Sequence, residues 1–210
     1  MALRNLIFDL GNVIINIDPE ETSQRLMNDF NIDYDFFKEK MSQVFLDYEV
    51  GKIDEHAFAT ALGKEANKPM SKDDILEHWN SMLIDIPEER LEMLDELSRR
   101  FKVFILSNTN YTHISWVKNY LKKHFGKEEF EDWGVSKAYY SHELGERKPD
   151  QACFSKLIHL EGIKPIESLF IDDLPSNVQA GKTFGMKSIL HDPKSEIQHC
   201  IVDYINEFSR

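Results

Sequence analysis

The sequence has few features of a secreted, membrane-bound or nucleic-acid-binding protein. Its two cysteines, Cys153 and Cys200, belong to no Cys-x-x-Cys motif, which argues against a disulfide framework. No apolar run reaches the roughly 18 residues that span a bilayer, and Asp9 interrupts the apolar N-terminus. Basic residues are outnumbered 25 to 37 by acidic ones, and the net charge of -12 disfavours binding to nucleic acid or anionic membrane. We therefore expect a cytoplasmic protein, a monomer or homodimer, that acts on a small molecule.

The apolar pattern that is present predicts an α/β fold. Five short apolar runs are typical of buried strands, and they lie at Leu3–Phe8, Val103–Leu106, Lys137–Tyr140, Ser168–Ile171 and Lys187–Leu190. Between the later strands, three segments with helical periodicity end at a glycine, and they are Tyr111–Phe125, Asp150–Glu161 and Ser176–Phe184. Strands that alternate with helices predict a parallel sheet with right-handed crossovers and helices on both faces.

A helical insertion is predicted between the first and second strands. From Asp18 to about Ile86 the sequence shows helical periodicity and no convincing strand. Side chains that cap helix N-termini recur in this segment, at Asp18, Asp33, Asp54 and Ser71. We therefore divide the chain into a core domain, residues 1–17 and 87–210, and an inserted all-helical cap domain, residues 18–86.

Polar side chains follow the predicted strands at the points where the strands end. They are Asp9 after the first strand, Ser107 and Asn108 after the second, Lys148 after the third, and Asp172 and Asp173 at the end of the fourth. Because crossover connections bring the carboxyl ends of parallel strands to one edge of the sheet, these groups should converge on one crevice.

The chemistry of these groups suits phosphoryl transfer. Carboxylates of Asp9 and Asp173, with a backbone carbonyl, would form the hard oxygen site that Mg²⁺ prefers. The Ser107 hydroxyl, the Asn108 backbone N–H and the Lys148 ammonium can hold phosphoryl oxygens and stabilise developing charge. Asp9 could then attack phosphorus and form an aspartyl-phosphate that water hydrolyses. Lys148 should also pair with the crowded carboxylates and keep Asp9 ionised near neutral pH.

Four segments, in this order, resemble the motifs of the haloacid dehalogenase-like superfamily. They are Asp9-Leu10-Gly11-Asn12-Val13, Ser107-Asn108-Thr109, Arg147-Lys148-Pro149-Asp150, and Asp172-Asp173 with Asn177-Val178-Gln179-Ala180-Gly181. The resemblance covers essentially the whole chain and implies a Rossmann-like core with Mg²⁺-dependent phosphate transfer through Asp9. It also implies that Asp9, Asp173 and the Gly11 carbonyl ligate the metal, with Asp172 as a ligand or a supporting partner.

Within this superfamily, the first two motifs are similar to those of bacterial sugar-1-phosphate phosphatases, notably α-glucose-1-phosphate phosphatase. They are also similar to the N-terminal phosphatase domain of soluble epoxide hydrolases. Many phosphatases of the superfamily have a general acid two residues after the nucleophile, where this sequence has Gly11. Because a positioned acid–base group contributes about 10²–10⁴-fold, its absence favours an easily expelled anomeric leaving group. The expected substrate is a small phosphorylated metabolite such as glucose 1-phosphate.

Other functions stay open at this level. Dehalogenation on the same scaffold is disfavoured by the Asp172-Asp173 pair, which suggests a retained metal site. Phosphonate cleavage would need a Schiff-base lysine in the cap, and the sequence offers Lys38, Lys40, Lys52, Lys64, Lys68 and Lys72. A non-enzymatic protein that binds a phosphorylated ligand is the third alternative.

Overall fold

Five strands form one parallel sheet in the computed structural model, which describes residues 2–32, 39, 41–66 and 71–208. The strands of the described chain are β1 (Asn5–Phe8), β2 (Asn16–Ile17), β3 (Leu83–Asp85), β4 (Lys102–Ser107), β5 (Lys137–Tyr140), β6 (Ser168–Asp172) and β7 (Lys187–Leu190). The sheet order is β5-β4-β1-β6-β7, so β1 lies at the centre between β4 and β6. The predicted parallel sheet is confirmed, with strand ends that differ from the predicted ones by at most two residues.

Helices connect these strands and cover both faces of the sheet. They are α1 (Pro19–Phe30), α2 (Ser42–Glu49), α3 (Glu55–Glu65), α4 (Lys72–Asn80), α5 (Glu88–Ser98), α6 (Tyr111–Phe125), α7 (Ser141–Leu144), α8 (Gln151–Glu161), α9 (Pro175–Thr183) and α10 (Ile197–Phe208). Leu6 and Phe8 of β1 pack into an apolar cluster with α5, α6 and α10. Ile7 points the other way, into a cluster with α8 and α9, as the two-residue period of a strand requires. In the part of the chain that the structure describes, no helix has the length and apolarity to cross a membrane.

Helices α1 to α4 form the cap around an apolar cluster of their own. Phe58 of α3 is fully buried there, between the rings of Tyr48 and Trp79. The predicted helix caps are confirmed at Asp18 and Asp54, which accept backbone N–H groups, and at Ser71, which forms a complete capping box. The candidate cap at Asp33 lies outside the described residues.

The prediction that the segment from residue 18 to 86 contains no strand was wrong. β3 pairs with β2 in an antiparallel ribbon, where Ile17 lies opposite Leu83 and Asn16 opposite Asp85. The Asn16 amide donates to the Asp85 carboxylate at 2.7 Å, and the Asp18 N–H donates to the Met82 carbonyl at 2.7 Å. Three residues are too few to show an alternating pattern, so the ribbon was not evident from periodicity. It lies where the chain enters and leaves the cap.

Candidate active site

The central strands place Asp9 and Asp172 side by side at the carboxyl edge of the sheet. β1 ends at Phe8, and the next backbone N–H, that of Asp9, donates to the Ile171 carbonyl of β6 at 2.8 Å. Asp172 is the last residue of β6. The two carboxylates are therefore held on neighbouring strands, and both residues are buried. Of the predicted site residues, Asp9, Lys148, Asp172 and Asp173 come together here, as the crossover argument requires.

Lys148 lies between these carboxylates. Its Nζ donates to Asp9 Oδ1 at 2.5 Å and to Asp172 Oδ2 at 2.7 Å, and only 1% of the side chain is exposed. Burial acts to lower the pKa of Lys148, but the two carboxylates outweigh it and hold the pKa above its ordinary value. The ammonium is therefore a fixed positive charge at the floor of the site.

The Asn108 side chain positions the Lys148 backbone. Its Nδ2 donates to the Lys148 carbonyl at 2.7 Å, and its Oδ1 accepts the Lys148 N–H at 2.8 Å. This reciprocal pair links the end of β4 to the loop after α7. Because the amide of Asn108 is used in this way, its backbone N–H is the group that matches the predicted phosphoryl contact.

Asp9 is less readily ionised than its pairing with Lys148 suggested. Burial raises its pKa to about 7, Lys148 opposes this rise, and the nearby Asp172 carboxylate reinforces it. Lys148 favours the ionised form of Asp9 in the predicted direction, but one ammonium offsets only part of the desolvation. A further positive charge at the cluster would favour the ionised form.

Asp172 and Asp173 are adjacent but differently used. Asp172 is completely buried, and its two oxygens accept from the Leu174 N–H at 2.9 Å, from the Asn177 amide at 3.0 and 3.1 Å, and from Lys148. Asp173 is half-buried and accepts from the Asn12 amide at 3.1 Å. Burial raises the pKa of Asp173. Asp172 therefore orients Lys148, whereas Asp173 has fewer protein donors.

The carboxylate cluster fits a magnesium ion. Asp9, Asp172 and Asp173 each offer one oxygen, and these three atoms lie within 4.8 Å of one another. Hard oxygen donors of this kind suit Mg²⁺. A divalent cation would balance the negative charge of the carboxylates that Lys148 does not neutralise. Since protein donors engage both oxygens of Asp172, Asp9 and Asp173 are the better-placed ligands.

A cavity of about 190 Å³ lies between the core and the cap. Core and cap residues share its lining, which consists of Leu10, Gly11, Ile15, Ile17, Phe45, Glu49, Trp79, Met82, Leu83, Ser107, Asn108, Thr109, Asn110, His113 and Val117. The predicted phosphoryl-binding residues Ser107 and Asn108 are thus in the wall, as is Gly11. A Cβ built on Gly11 would come within 2.9 Å of Ile17 Cδ1, so the absence of a side chain there keeps this wall open.

The end of α2 contacts the core at successive positions. The Tyr48 hydroxyl bonds to the Thr112 hydroxyl and accepts the Thr112 N–H at 3.3 Å. Glu49 Oε2 lies 2.8 Å from Arg147 Nε. Gly51 has φ +69°, and a Cβ there would be 2.2 Å from the backbone carbonyl oxygen of His142, so only glycine fits.

His113 makes a further link between the core and the cap. Its ring stacks on Trp79, with centroids 5.4 Å apart, and its Nε2 lies 3.2 Å from the Trp79 carbonyl. Its Nδ1 lies 3.2 Å from the Asn110 amide nitrogen. Burial lowers the pKa of His113 to about 4. The ring is therefore neutral at physiological pH, with Nε2–H donating to the cap.

Sequence reasoning assigned no role to several residues that complete the site. Asn12 adopts φ +57°, a conformation that asparagine tolerates, and thereby directs its amide to Asp173. Asn177 of α9 supports Asp172. Asn12 follows a glycine in a turn, which was a usable signal. Arg147 belongs to a segment that resembles a family motif, but its contact with Glu49 is not evident from the sequence.

Comparison with known proteins agrees with this geometry. The family model described as haloacid dehalogenase-like hydrolase matches residues 6–191. The chain belongs to this family. This haloacid dehalogenase-like hydrolase is 29% identical over 188 residues to D-ribitol-5-phosphate phosphatase of Bacteroides thetaiotaomicron, covering 89% of this chain and 90% of that relative. The predicted family is thereby confirmed, while the likeness to α-glucose-1-phosphate phosphatases stays a prediction.

Two solved structures are similar over nearly their whole length. A haloacid dehalogenase family enzyme of B. thetaiotaomicron, in complex with magnesium and inorganic phosphate, is 30% identical with a TM-score of 0.84. The match covers 94% of this haloacid dehalogenase-like hydrolase and 98% of that chain. A hydrolase of the same family from Porphyromonas gingivalis is 29% identical with a TM-score of 0.85, covering 97% and 98%. The predicted Rossmann-like α/β fold is confirmed.

Proposed function

We propose that this protein is a Mg²⁺-dependent phosphatase that hydrolyses a small phosphorylated metabolite through an aspartyl-phosphate on Asp9. The observation that carries the proposal is the contact of the Lys148 ammonium with both Asp9 and Asp172. This contact lies at the carboxyl edge of the sheet, beside a cavity lined by Ser107 and Asn108. The magnesium and phosphate complex of the B. thetaiotaomicron enzyme supports the same chemistry.

In the first step, an Asp9 carboxylate oxygen attacks phosphorus as the bond from phosphorus to the leaving-group oxygen breaks. The Ser107 hydroxyl, the Asn108 N–H and the Lys148 ammonium hold the phosphoryl oxygens. The departing oxygen takes a proton from water, since Gly11 supplies no acid. Water then attacks phosphorus, which frees phosphate and restores the Asp9 carboxylate.

The carboxylate cluster would hold Mg²⁺ through Asp9, Asp173 and the Gly11 carbonyl, with Asp172 in support. Bound there, the ion would supply charge neutralisation for the phosphoryl oxygens. Asp9 would be ionised more readily beside it, which matters because burial otherwise raises the pKa of Asp9 to about 7.

The proposed substrate class is phosphorylated sugars and polyols. Gly11 favours an anomeric ester such as glucose 1-phosphate, whose leaving group needs little acid assistance. The name of the relative, D-ribitol-5-phosphate phosphatase, favours a polyol ester with a primary alkoxide leaving group. Both esters are smaller than a drug-sized ligand. The cavity is likewise smaller than the roughly 300–1,000 Å³ that is common for pockets that bind drug-sized ligands, so its size suits either ester.

The described cap lysines do not favour phosphonate cleavage. Lys52 and Lys72 pair with Asp47 and Glu55 at 3.7 and 2.8 Å, and Lys64 is exposed on α3. None of these three lines the cavity. Three further candidates, Lys38, Lys40 and Lys68, lie outside the described residues.

Phosphate release from a panel of sugar and polyol phosphates, with Mg²⁺ or with EDTA, tests the proposal. Asp9→Asn should abolish turnover and the acid-stable labelling of the protein by substrate phosphate. Asp203→Asn, an exposed position on α10, is the control and should retain both. Retained activity in Asp9→Asn would remove Asp9 as the nucleophile. Metal-independent halide release would favour dehalogenation, and binding without turnover would favour a phospho-ligand-binding protein.

A further inference from the structure

A second cavity lies at the amino edge of the sheet, where β1, β4 and β6 begin. This amino-edge cavity has a volume of about 720 Å³, within the range of roughly 300–1,000 Å³ that is common for ligand pockets. β4 begins there at Lys102 and ends at Ser107, in the wall of the cavity between the core and the cap. From Lys102 to Ser107 a strand spans about 17 Å, at about 3.3 Å per residue. The two cavities are therefore separate sites.

The amino-edge cavity is basic, although the chain has a net charge of -12. Among the described residues that line it, five are lysine or arginine and one is an acid, and they are Arg4, Arg99, Arg100, Lys102, Lys164 and Glu167. A concave surface with charges of one sign concentrates the electrostatic field and raises the local concentration of counter-ions. This cavity therefore attracts anions, whereas the chain as a whole repels them.

One carboxylate in the amino-edge cavity faces two cations. Glu167 Oε2 lies 3.7 Å from Arg4 Nε, and Glu167 Oε1 lies 3.6 Å from Lys164 Nζ. Both cationic side chains are 72% exposed. Glu167 can balance only one of these two positive charges, so one charge is left uncompensated.

Two of the remaining three cations are also uncompensated. Arg99 pairs with Asp95 at 2.9 Å, whereas Arg100 and Lys102 form no ion pair with any residue that the structure describes. The Arg100 guanidinium lies over the Phe101 ring, 5.3 Å from its centroid. Contact with an aromatic face holds a cation without neutralising it.

The starts of three neighbouring strands fix the spacing of these charges. The Lys102 N–H donates to the Arg4 carbonyl at 3.0 Å, and the Arg4 N–H donates to the Glu167 carbonyl at 2.9 Å. Neighbouring strands lie about 4.8 Å apart, so Lys102 and Arg4 stand side by side. Because the backbone that bears them is already ordered, binding an anion would cost less entropy than ordering a loop.

Helix ends account for only part of this positive charge. α5 ends at Ser98 and α8 ends at Glu161, both beside the amino-edge cavity. The free carbonyls at the end of a helix are equivalent to about half a negative charge, and cations are favourable near them. Two helix ends would balance about one of the three uncompensated cations. A net positive charge therefore remains for a ligand.

We propose that the amino-edge cavity binds a small molecule that carries two or more phosphate groups. A phosphate monoester carries about 1.5 to 2 negative charges near neutral pH, and the planar guanidinium of Arg100 matches phosphate oxygens. The cavity is far larger than one phosphate ion requires. A nucleic acid would extend beyond the cavity and meet the negative charge of the rest of the chain. The site is separate from the carboxylate cluster, so the inference is independent of the proposed phosphatase function.

Binding of tripolyphosphate to the metal-free full chain, measured by isothermal titration calorimetry, tests this inference. EDTA is removed before the titration, because it is itself a polyanion. Without metal, the carboxylates of the candidate active site repel the probe. Tripolyphosphate should bind with one-to-one stoichiometry and about 10-fold more tightly than inorganic phosphate, because it reaches more of the cations. No binding to the wild type, or equal affinity for the two anions, would overturn the inference.

A double variant removes two of the uncompensated cations. Arg100→Ala with Lys102→Ala should raise the Kd for tripolyphosphate by about 3- to 30-fold, the range for the loss of two exposed ion pairs. Arg100→Lys with Lys102→Arg keeps both charges and should bind nearly as tightly as the wild type. The matched control is Lys123→Ala with Lys182→Ala, which removes the same charge at exposed positions outside the cavity. An equal rise in Kd in the two alanine double variants would overturn the inference, because overall charge would then explain binding.

Ser107→Ala separates the amino-edge cavity from the candidate active site. Ser107 lines the cavity between the core and the cap, so its substitution should leave the Kd for tripolyphosphate unchanged. Weaker binding in Ser107→Ala, with unchanged binding in the Arg100 and Lys102 alanine double variant, would place the probe in the active site and overturn the inference. None of these measurements depends on turnover, so a failure of the proposed phosphatase function would be seen separately.

Discussion

Lowering the pH should lower the free energy of unfolding of this protein because of His113. The ring is 9% exposed, stacks on Trp79, and lies in hydrogen-bond contact with Asn110 and the Trp79 carbonyl. Burial lowers its pKa to about 4, against an ordinary value of 6.5. A proton at Nδ1 would meet the Asn110 amide group and force the ring or that amide to reorient.

The direction and size of the effect follow from these two pKa values. The unfolded chain takes up the proton near pH 6.5, and the native chain does so only near pH 4. The contribution of the neutral His113 ring to stability is therefore fully present above pH 6.5. It is lost as the pH falls through the interval between the two values. Between pH 7.5 and 5.0, the free energy of unfolding should fall by about 2 kcal/mol from this residue alone.

Urea unfolding at pH 7.5 and 5.0, with EDTA present at both, measures this change. His113→Gln should be less stable at pH 7.5 by about 1–3 kcal/mol, because a buried hydrogen-bonded ring is lost. Between pH 7.5 and 5.0, the free energy of unfolding of His113→Gln should fall by about 2 kcal/mol less than that of the wild type. His124→Gln, an exposed position on the same helix, is the control and should show the wild-type decrease. Equal decreases in the wild type and His113→Gln would refute the reasoning.

Two further perturbations test the site and the cap. Lys148→Met would leave two buried carboxylates without their cation, so the free energy of unfolding at pH 7.5 should fall by about 3–5 kcal/mol. Chemical denaturation checks this, and a loss under 1 kcal/mol would contradict the buried pairing seen with Asp9. Gly51→Ala should lower Tm more than Gly126→Ala, because both have positive φ but only Gly51 faces a carbonyl, that of His142. Equal shifts in Tm would show that the close approach has no energetic effect.

The sequence predicted those parts of the site that depend on local pattern. Asp9 and Asp172 lie at the ends of apolar runs, and the topology of a parallel sheet brings such ends together. The helix from Tyr111 to Phe125 has its predicted bounds, because Asn110 and Gly126 mark its two ends. These features need no knowledge of distant contacts.

The parts that the sequence did not predict depend on pairs of distant residues. β3 has three residues, and its partner strand lies more than 60 residues earlier in the chain. The pKa of Asp9 depends on burial by the assembled fold, which outweighs the charge of Lys148. Glu49 and Arg147 meet only after the cap has packed on the core. The substrate glucose 1-phosphate stays a prediction for the same reason, since the cavity is built from both units.

The β2–β3 ribbon brings the two ends of the cap segment together beside the sheet. Ile17 and Leu83 are paired partners on neighbouring strands, a spacing of about 5 Å. The two ends of the cap segment are therefore as close together as the ends of a tight turn, so the size of the cap need not strain β1. We therefore expect an insert of another size, with ends at this spacing, to leave Asp9, Lys148 and Asp172 in place. Under the proposed function, the cap could then change substrate preference without moving the residues proposed for phosphoryl transfer.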